Sequence, residues 1–132
     1  MPEITQYIDA IARQKQRNVL YLVFDLDLRK KIDWQNLPIR KRIIEWLNQE
    51  GIEWMPCGHF ANEQIEYGYR GQIYIDVPFD ESNETYQKLS NFFELPNGEM
   101  RFADVWFMYE TLERAEKNKH HDEPGFWERQ FS

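Results

Sequence analysis

The chain of 132 residues has a single cysteine, Cys57. One thiol excludes an intrachain disulfide and points to a reducing compartment. Also missing is any run near the ~18 uninterrupted apolar residues that a membrane-spanning helix needs. The opening Met1-Pro2-Glu3-Ile4-Thr5-Gln6-Tyr7 has neither the basic start nor the apolar stretch of a secretory signal. These absences set the expectation of a cytoplasmic protein. Glycine is sparse, and Gly58, Gly68, Gly71 and Gly98 never form a phosphate-cradling run. Ser82, Ser90 and Ser132 stand in no elbow-like context, which leaves serine acyl chemistry without a basis. Internal repeats and low-complexity segments are lacking too.

Aromatic residues, by contrast, are plentiful. They make up 16% of the chain, with 5 Trp, 7 Tyr and 9 Phe, the opposite of a disordered composition. The length suits one domain over residues 1–132, able to bury about 68–70% of its unfolded surface. Sixteen basic residues against twenty-three acidic ones give a formal net charge of −7, unevenly spread. Arg29, Lys30, Lys31, Arg40, Lys41 and Arg42 face only Asp33 within residues 29–42, a local net of +5. Residues 43–104 carry twelve acids against Arg70, Lys88 and Arg101, a local net of −9. An acidic body repels nucleic acid at long range without forbidding a local basic contact.

Periodicity predicts the elements. Pro2, Ile4, Tyr7, Ile8 and Ile11 predict an N-terminal helix over residues 2–16. Residues 19–28 alternate: Leu20, Leu22, Phe24, Leu26 and Leu28 share one strand face, and Val19, Tyr21, Val23, Asp25 and Asp27 the other. Pro38 opens a second helix with the stripe Ile39, Ile43, Trp46 and Leu47, and Gly51 terminates it. A short strand near residues 52–60 reads as an edge strand or one with a bulge, because of Pro56 and Gly58. A third strand spans residues 69–79. A third helix is capped by Asp80, Ser82 or Asn83 and striped by Tyr86, Leu89, Phe92 and Phe93. Pro96-Asn97-Gly98 is a turn before a fourth strand over residues 100–109. Residues 110–119 read as a polar helix with Glu110–Arg114 and Glu113–Lys117 pairs. An aromatic tail with Phe126, Trp127 and Phe131 follows, expected to dock back on the domain or on a partner.

Residues 19–109 therefore order as β-α-β-β-α-β, the α+β ferredoxin-like arrangement of a four-stranded antiparallel sheet with two helices on one face. The N-terminal helix and residues 110–132 are additions to it. Leu22, Phe24, Ile43, Leu47, Ile75, Val77, Leu89 and Phe93 are the expected core.

Four constellations could carry function. Asp25 and Asp27 end the first strand, and Asp104 opens the antiparallel fourth strand beside them. Three carboxylates at one sheet edge could hold Mg²⁺, which takes oxygen ligands and activates water for phosphodiester cleavage. Phe24-Asp25-Leu26-Asp27, with this element order over about half the chain, resembles the small CRISPR-associated nucleases and the VapD-type toxins. Those families place an aspartate at the same strand end of a ferredoxin-like domain, and the resemblance implies a metal-dependent nuclease. A second set, Cys57 and His59 with His120, His121, Asp122 and Glu123, offers residue types that zinc accepts, without a standard ligand spacing. Cys57 with His59 as base is a further pairing that lacks a third group. The third set is aromatic: Tyr21, Tyr74 and Trp106 or Phe107 on the open sheet face, a platform of the kind RNA-binding sheets use. Acidic neighbours there argue instead for coverage by the N-terminal helix, by the tail residues Phe126 and Trp127, or by another chain. The fourth is the basic cluster Arg29, Lys30, Lys31, Arg40, Lys41 and Arg42, whose cations oppose a helix dipole and suit a counter-anion.

Weighed together, these features set the expectation of a non-enzymatic binding or regulatory module without a cofactor. Association with a protein partner, most simply a second copy as a homodimer, would bury the open face. A nuclease with Mg²⁺ at Asp25, Asp27 and Asp104 is the alternative.

Overall fold

A computed structural model describes residues 6–27, 30–64 and 68–131, with Gln130 and Phe131 described by their backbone alone. Pro2, Ile4, Leu28 and Arg29 lie outside the described residues, as does the side chain of Phe131. The apolar alternation of Val19–Phe24 makes strand β1, and all six of its residues are buried. The strand stops there because Asp25 turns into the left-handed region at φ 71. Leu26, expected to continue the buried face, is exposed instead.

Three further strands complete the sheet: β2 (Trp54–Pro56), β3 (Ile73–Ile75) and β4 (Val105–Glu110). The fold is α+β, with an open antiparallel four-stranded sheet in the order β2-β3-β1-β4. Tyr21 faces Tyr74 across one pairing and Met108 across the other. The sequence predicted longer second and third strands. Pro56 cannot donate to a ladder and closes β2. At the end of β3 the Val77 N–H folds back onto the Ile75 carbonyl at 2.8 Å.

Helices α1 (Ile8–Lys15), α2 (Pro38–Gln49) and α3 (Glu84–Phe93) follow their apolar stripes. Asn83 caps α3, its Oδ1 accepting from the Tyr86 N–H at 3.0 Å. Beyond β4, the expected ten-residue helix is shorter. Glu110 belongs to the strand and is buried, and helix α4 covers only Leu112–Glu116. A 3-10 turn at Lys119–Asp122 and helix α5 (Phe126–Phe131) complete the described chain. No helix among the described residues is long and apolar enough to cross a membrane.

The period-two pattern of β1 feeds two separate cores. Leu20, Leu22 and Phe24 pack with Ile43 and Leu47 of α2, Leu89 and Phe93 of α3, and Ile75 and Val77. All eight expected core residues are buried here. Val19, Tyr21 and Val23 face the other way, against Ile8, Ile11 and Ala12 of α1, Cys57, Tyr74 and Ala115 of α4. Burying a large side chain stabilises by about 1.5–3 kcal/mol, so both faces contribute substantially.

Candidate functional site

At the C-terminal end of β1 the chain makes a cleft of about 470 Å³, lined in part by Phe24, Asp25, Lys31, Leu37 and Asp104. Asp25 and Asp104 both hold positive φ, 71 and 60, and the Asp25 N–H donates to the Asp104 carbonyl at 2.8 Å. Their meeting at the strand end is therefore a backbone contact. The Asp25 carboxylate accepts from the Asp27 N–H at 2.9 Å, and Lys30 Nζ stands 3.5 Å from its other oxygen. The backbone hydrogen bond is the main cause holding the Asp25 carboxyl below its ordinary range. Asp25, Asp27 and Asp104 do not bring their ligand oxygens within 4.8 Å of one another. The Asp25 carboxylate is thus committed to a turn and an ion pair, and the three side chains do not form a preformed Mg²⁺ cage.

The aromatic face is closed from within the chain. Tyr74 is 1% exposed and Tyr21 8%, both beneath α1 and α4, with Trp106 packed partly against the same cluster. Buried in this way they present no stacking platform and no open binding surface: α1 lays its apolar stripe over this face, one of the three covers weighed from the sequence. Burial beside Glu110 pushes the Tyr21 hydroxyl up to about 12. The Tyr74 hydroxyl donates to Asp76 at 2.7 Å, and Arg17 joins the same carboxylate at 2.8 Å. The tail residues dock as well: Trp127 meets Tyr7 at 4.9 Å between ring centroids, and Phe126 stacks on His121 at 4.8 Å.

The basic cluster divides in two. Arg40 is buried, its guanidinium donating to the Gly71 carbonyl at 2.9 Å and the Tyr69 hydroxyl at 3.1 Å while lying over the Trp34 ring. Gly71 is required there. Its φ is +90, and an added Cβ would meet the Trp34 Cβ at 2.8 Å. Lys30, Lys31, Lys41 and Arg42 are exposed, Lys30 beside Asp25 and Arg42 over the Phe102 ring.

The zinc-type set also separates. Cys57 is a buried thiol in the second core, and burial pushes its ionisation far up. The His59 ring lies against the Gln72 side-chain amide. Asp122 receives both Nε and Nη2 of Arg13 at 2.8 Å. His120 and His121 converge instead on Glu63, which sequence reading did not single out. Their Nε2 atoms lie 2.6 and 2.7 Å from the same oxygen, Glu63 Oε1. Hydrogen bonds from His120 and then His121 hold the Glu63 carboxyl below its usual range. Among the described residues this is the only group of three His, Cys, Asp or Glu side chains whose ligand atoms lie within 4.8 Å of one another.

A further feature is the outer edge of β4. No described strand pairs with it, because the sheet ends there. The Asp104 carbonyl faces β1, so antiparallel alternation turns the peptide groups of Phe107 and Tyr109 outward. Tyr109 is 55% exposed and Met108 36%, beside a groove of about 470 Å³ that also touches Phe107 and Arg114.

No family model matches the chain, and no curated protein or solved structure matches it.

Proposed function

We propose that the protein is a small cytoplasmic binding module, ferredoxin-like in arrangement, that works by pairing β4 with another polypeptide, most simply β4 of a second copy. The element order β1-α2-β2-β3-α3-β4, with β1 and β3 in the middle of the sheet, supports the ferredoxin-like reading. The buried Cys57 thiol suits a reducing compartment.

The observation that carries the proposal is the outer edge of β4. Natural sheets guard such edges with lysine, proline, bulges or very short strands. The β4 sequence Val105-Trp106-Phe107-Met108-Tyr109-Glu110 has six residues without lysine, proline or bulge, and its one charge, the buried Glu110, stands at the strand's end and leaves the Phe107–Tyr109 stretch unguarded. Strand addition would satisfy the outward peptide groups of Phe107 and Tyr109, and side-chain contacts at Met108 and Tyr109 would add specificity. Antiparallel pairing about a twofold axis brings the same segment of two copies together and closes both edges at once.

Light scattering at micromolar concentration tests this reading. The wild type is expected to have the mass of a dimer, and the Met108→Lys, Tyr109→Lys double variant the mass of a monomer with an unchanged circular dichroism spectrum. A strictly monomeric wild type would overturn pairing between copies.

The cleft beside Asp25 and Asp104 favours one second reading, Mg²⁺-dependent phosphodiester cleavage. The scatter of the three carboxylates weighs against it. Cleavage of RNA or DNA by the wild type in Mg²⁺, abolished when Asp25, Asp27 and Asp104 are all changed to Asn, would establish it. No cleavage by the wild type would remove it.

A further inference from the structure

We infer that Glu63, His120 and His121 form a binding site for one late first-row divalent ion of the Zn²⁺ class. Two imidazoles and a carboxylate are a donor set that Zn²⁺ accepts, whereas Mg²⁺ and Ca²⁺ prefer oxygen alone. Both rings aim the same atom, Nε2, at one point occupied by Glu63 Oε1. Donor atoms on a tetrahedral ion with bonds of ~2.0–2.1 Å lie roughly 3.3 Å apart. Widening the two nitrogen–oxygen distances from 2.6 and 2.7 Å to that value moves the carboxylate by less than about an ångström.

The donors are positioned by their packing, His121 most firmly. His121 is 4% exposed, clamped by Phe126 and by Trp127 at 4.7 Å between centroids. His120 sits edge-on to both His121 and Phe126. Glu63 follows Ala61, whose N–H is tied to Asp9 Oδ1 at 3.0 Å, so the loop that carries it is anchored to α1. Packing therefore orients the donors before any ion arrives. Asp122 is committed to Arg13 and cannot serve as a fourth ligand. Glu63 and His120 remain 42% and 48% exposed at the side chain, which leaves the remaining coordination position to water.

When Nε2 binds an ion, the ring proton resides on Nδ1. The Nδ1 of His121 is buried with no hydrogen-bond partner among the described residues. Metal-bound histidines ordinarily donate that proton to a carbonyl or carboxylate, and losing such a contact weakens binding about 10–100-fold. The affinity expected here is accordingly micromolar. Bound metal would tie the loop after β2 to the segment after α4, residues 57 positions apart in the chain.

Isothermal titration of the chelator-stripped full chain with ZnCl₂ tests the inference. One ion per chain at micromolar affinity and a raised melting temperature are expected, with no response to MgCl₂. His121→Ala endangers the fold, so the deciding variants are the exposed His120→Ala and Glu63→Gln, each expected to weaken binding at least tenfold. No saturable binding by the wild type, or equal binding by both variants, would overturn the assignment.

Discussion

Glu110 is an acid in an unsuitable place. Its side chain is 1% exposed, neither carboxylate oxygen has a hydrogen-bond partner among the described residues, and Arg114 stands 3.7 Å away. Burial, the largest cause, pushes its carboxyl above the ordinary value. A raised acid binds protons more readily in the folded state, so its ionisation costs stability at neutral pH. Glu110→Gln is expected to raise the melting temperature at pH 7 and to change it little in acid, as a pair of thermal melts would show. Asp76 behaves oppositely. The Tyr74 hydroxyl foremost, then the charges of Lys15 and Arg17, lower its carboxyl. Its contribution is fully present above the ordinary carboxyl value of about 3.9 and is lost as pH falls through the lower folded value. Urea melts of Asp76→Asn should show a shallower loss of stability in that acid range than the wild type. An equally steep loss would contradict the assignment.

Single residues also mark how far the sequence could be read. The stripes Ile43–Leu47 and Leu89–Phe93 and the alternation of β1 were legible because each follows from one element's own period. Arg40 was not: a run of charges looks solvated, and only the fold brings Trp34, Tyr69 and Gly71 around it. Glu63 was invisible for a similar reason, lying far along the chain from the histidines it meets. The His120-His121 pair was the one signal that could have pointed to that cluster.

Between elements, the chief tie is a buried network on α1. Asp9 is fully buried and accepts from Ala61, Arg13 and Asn118, while Arg13 also reaches Asp122 and the Ala115 carbonyl. Helix α1 thereby holds both the loop after β2 and the segment after α4. Removing one partner of a buried pair leaves an uncompensated charge, at a cost of about 3–5 kcal/mol. Arg13→Leu is expected to lose about that much in urea denaturation and to make the segment after α4 more sensitive to protease. A loss within ~0.5 kcal/mol, the range of surface changes, would show the network to be incidental. Element ends were the least legible part. The left-handed turn at Asp25, the short β3 and the extension of β4 to Glu110 depend on contacts with neighbouring strands, which local pattern does not carry.

At the scale of the whole molecule, the sheet is closed on both faces and open at an edge. The aromatic face that a second copy was expected to bury is covered by α1 and α4, so the association proposed above rests on the outer side of β4 alone. Amide hydrogen exchange at Phe107 and Tyr109 tests that claim most directly. Pairing between copies would protect these two amides increasingly as protein concentration rises, while amides of β1, already inside the sheet, would stay equally protected throughout. Fast exchange at Phe107 and Tyr109 at every concentration would contradict association through β4.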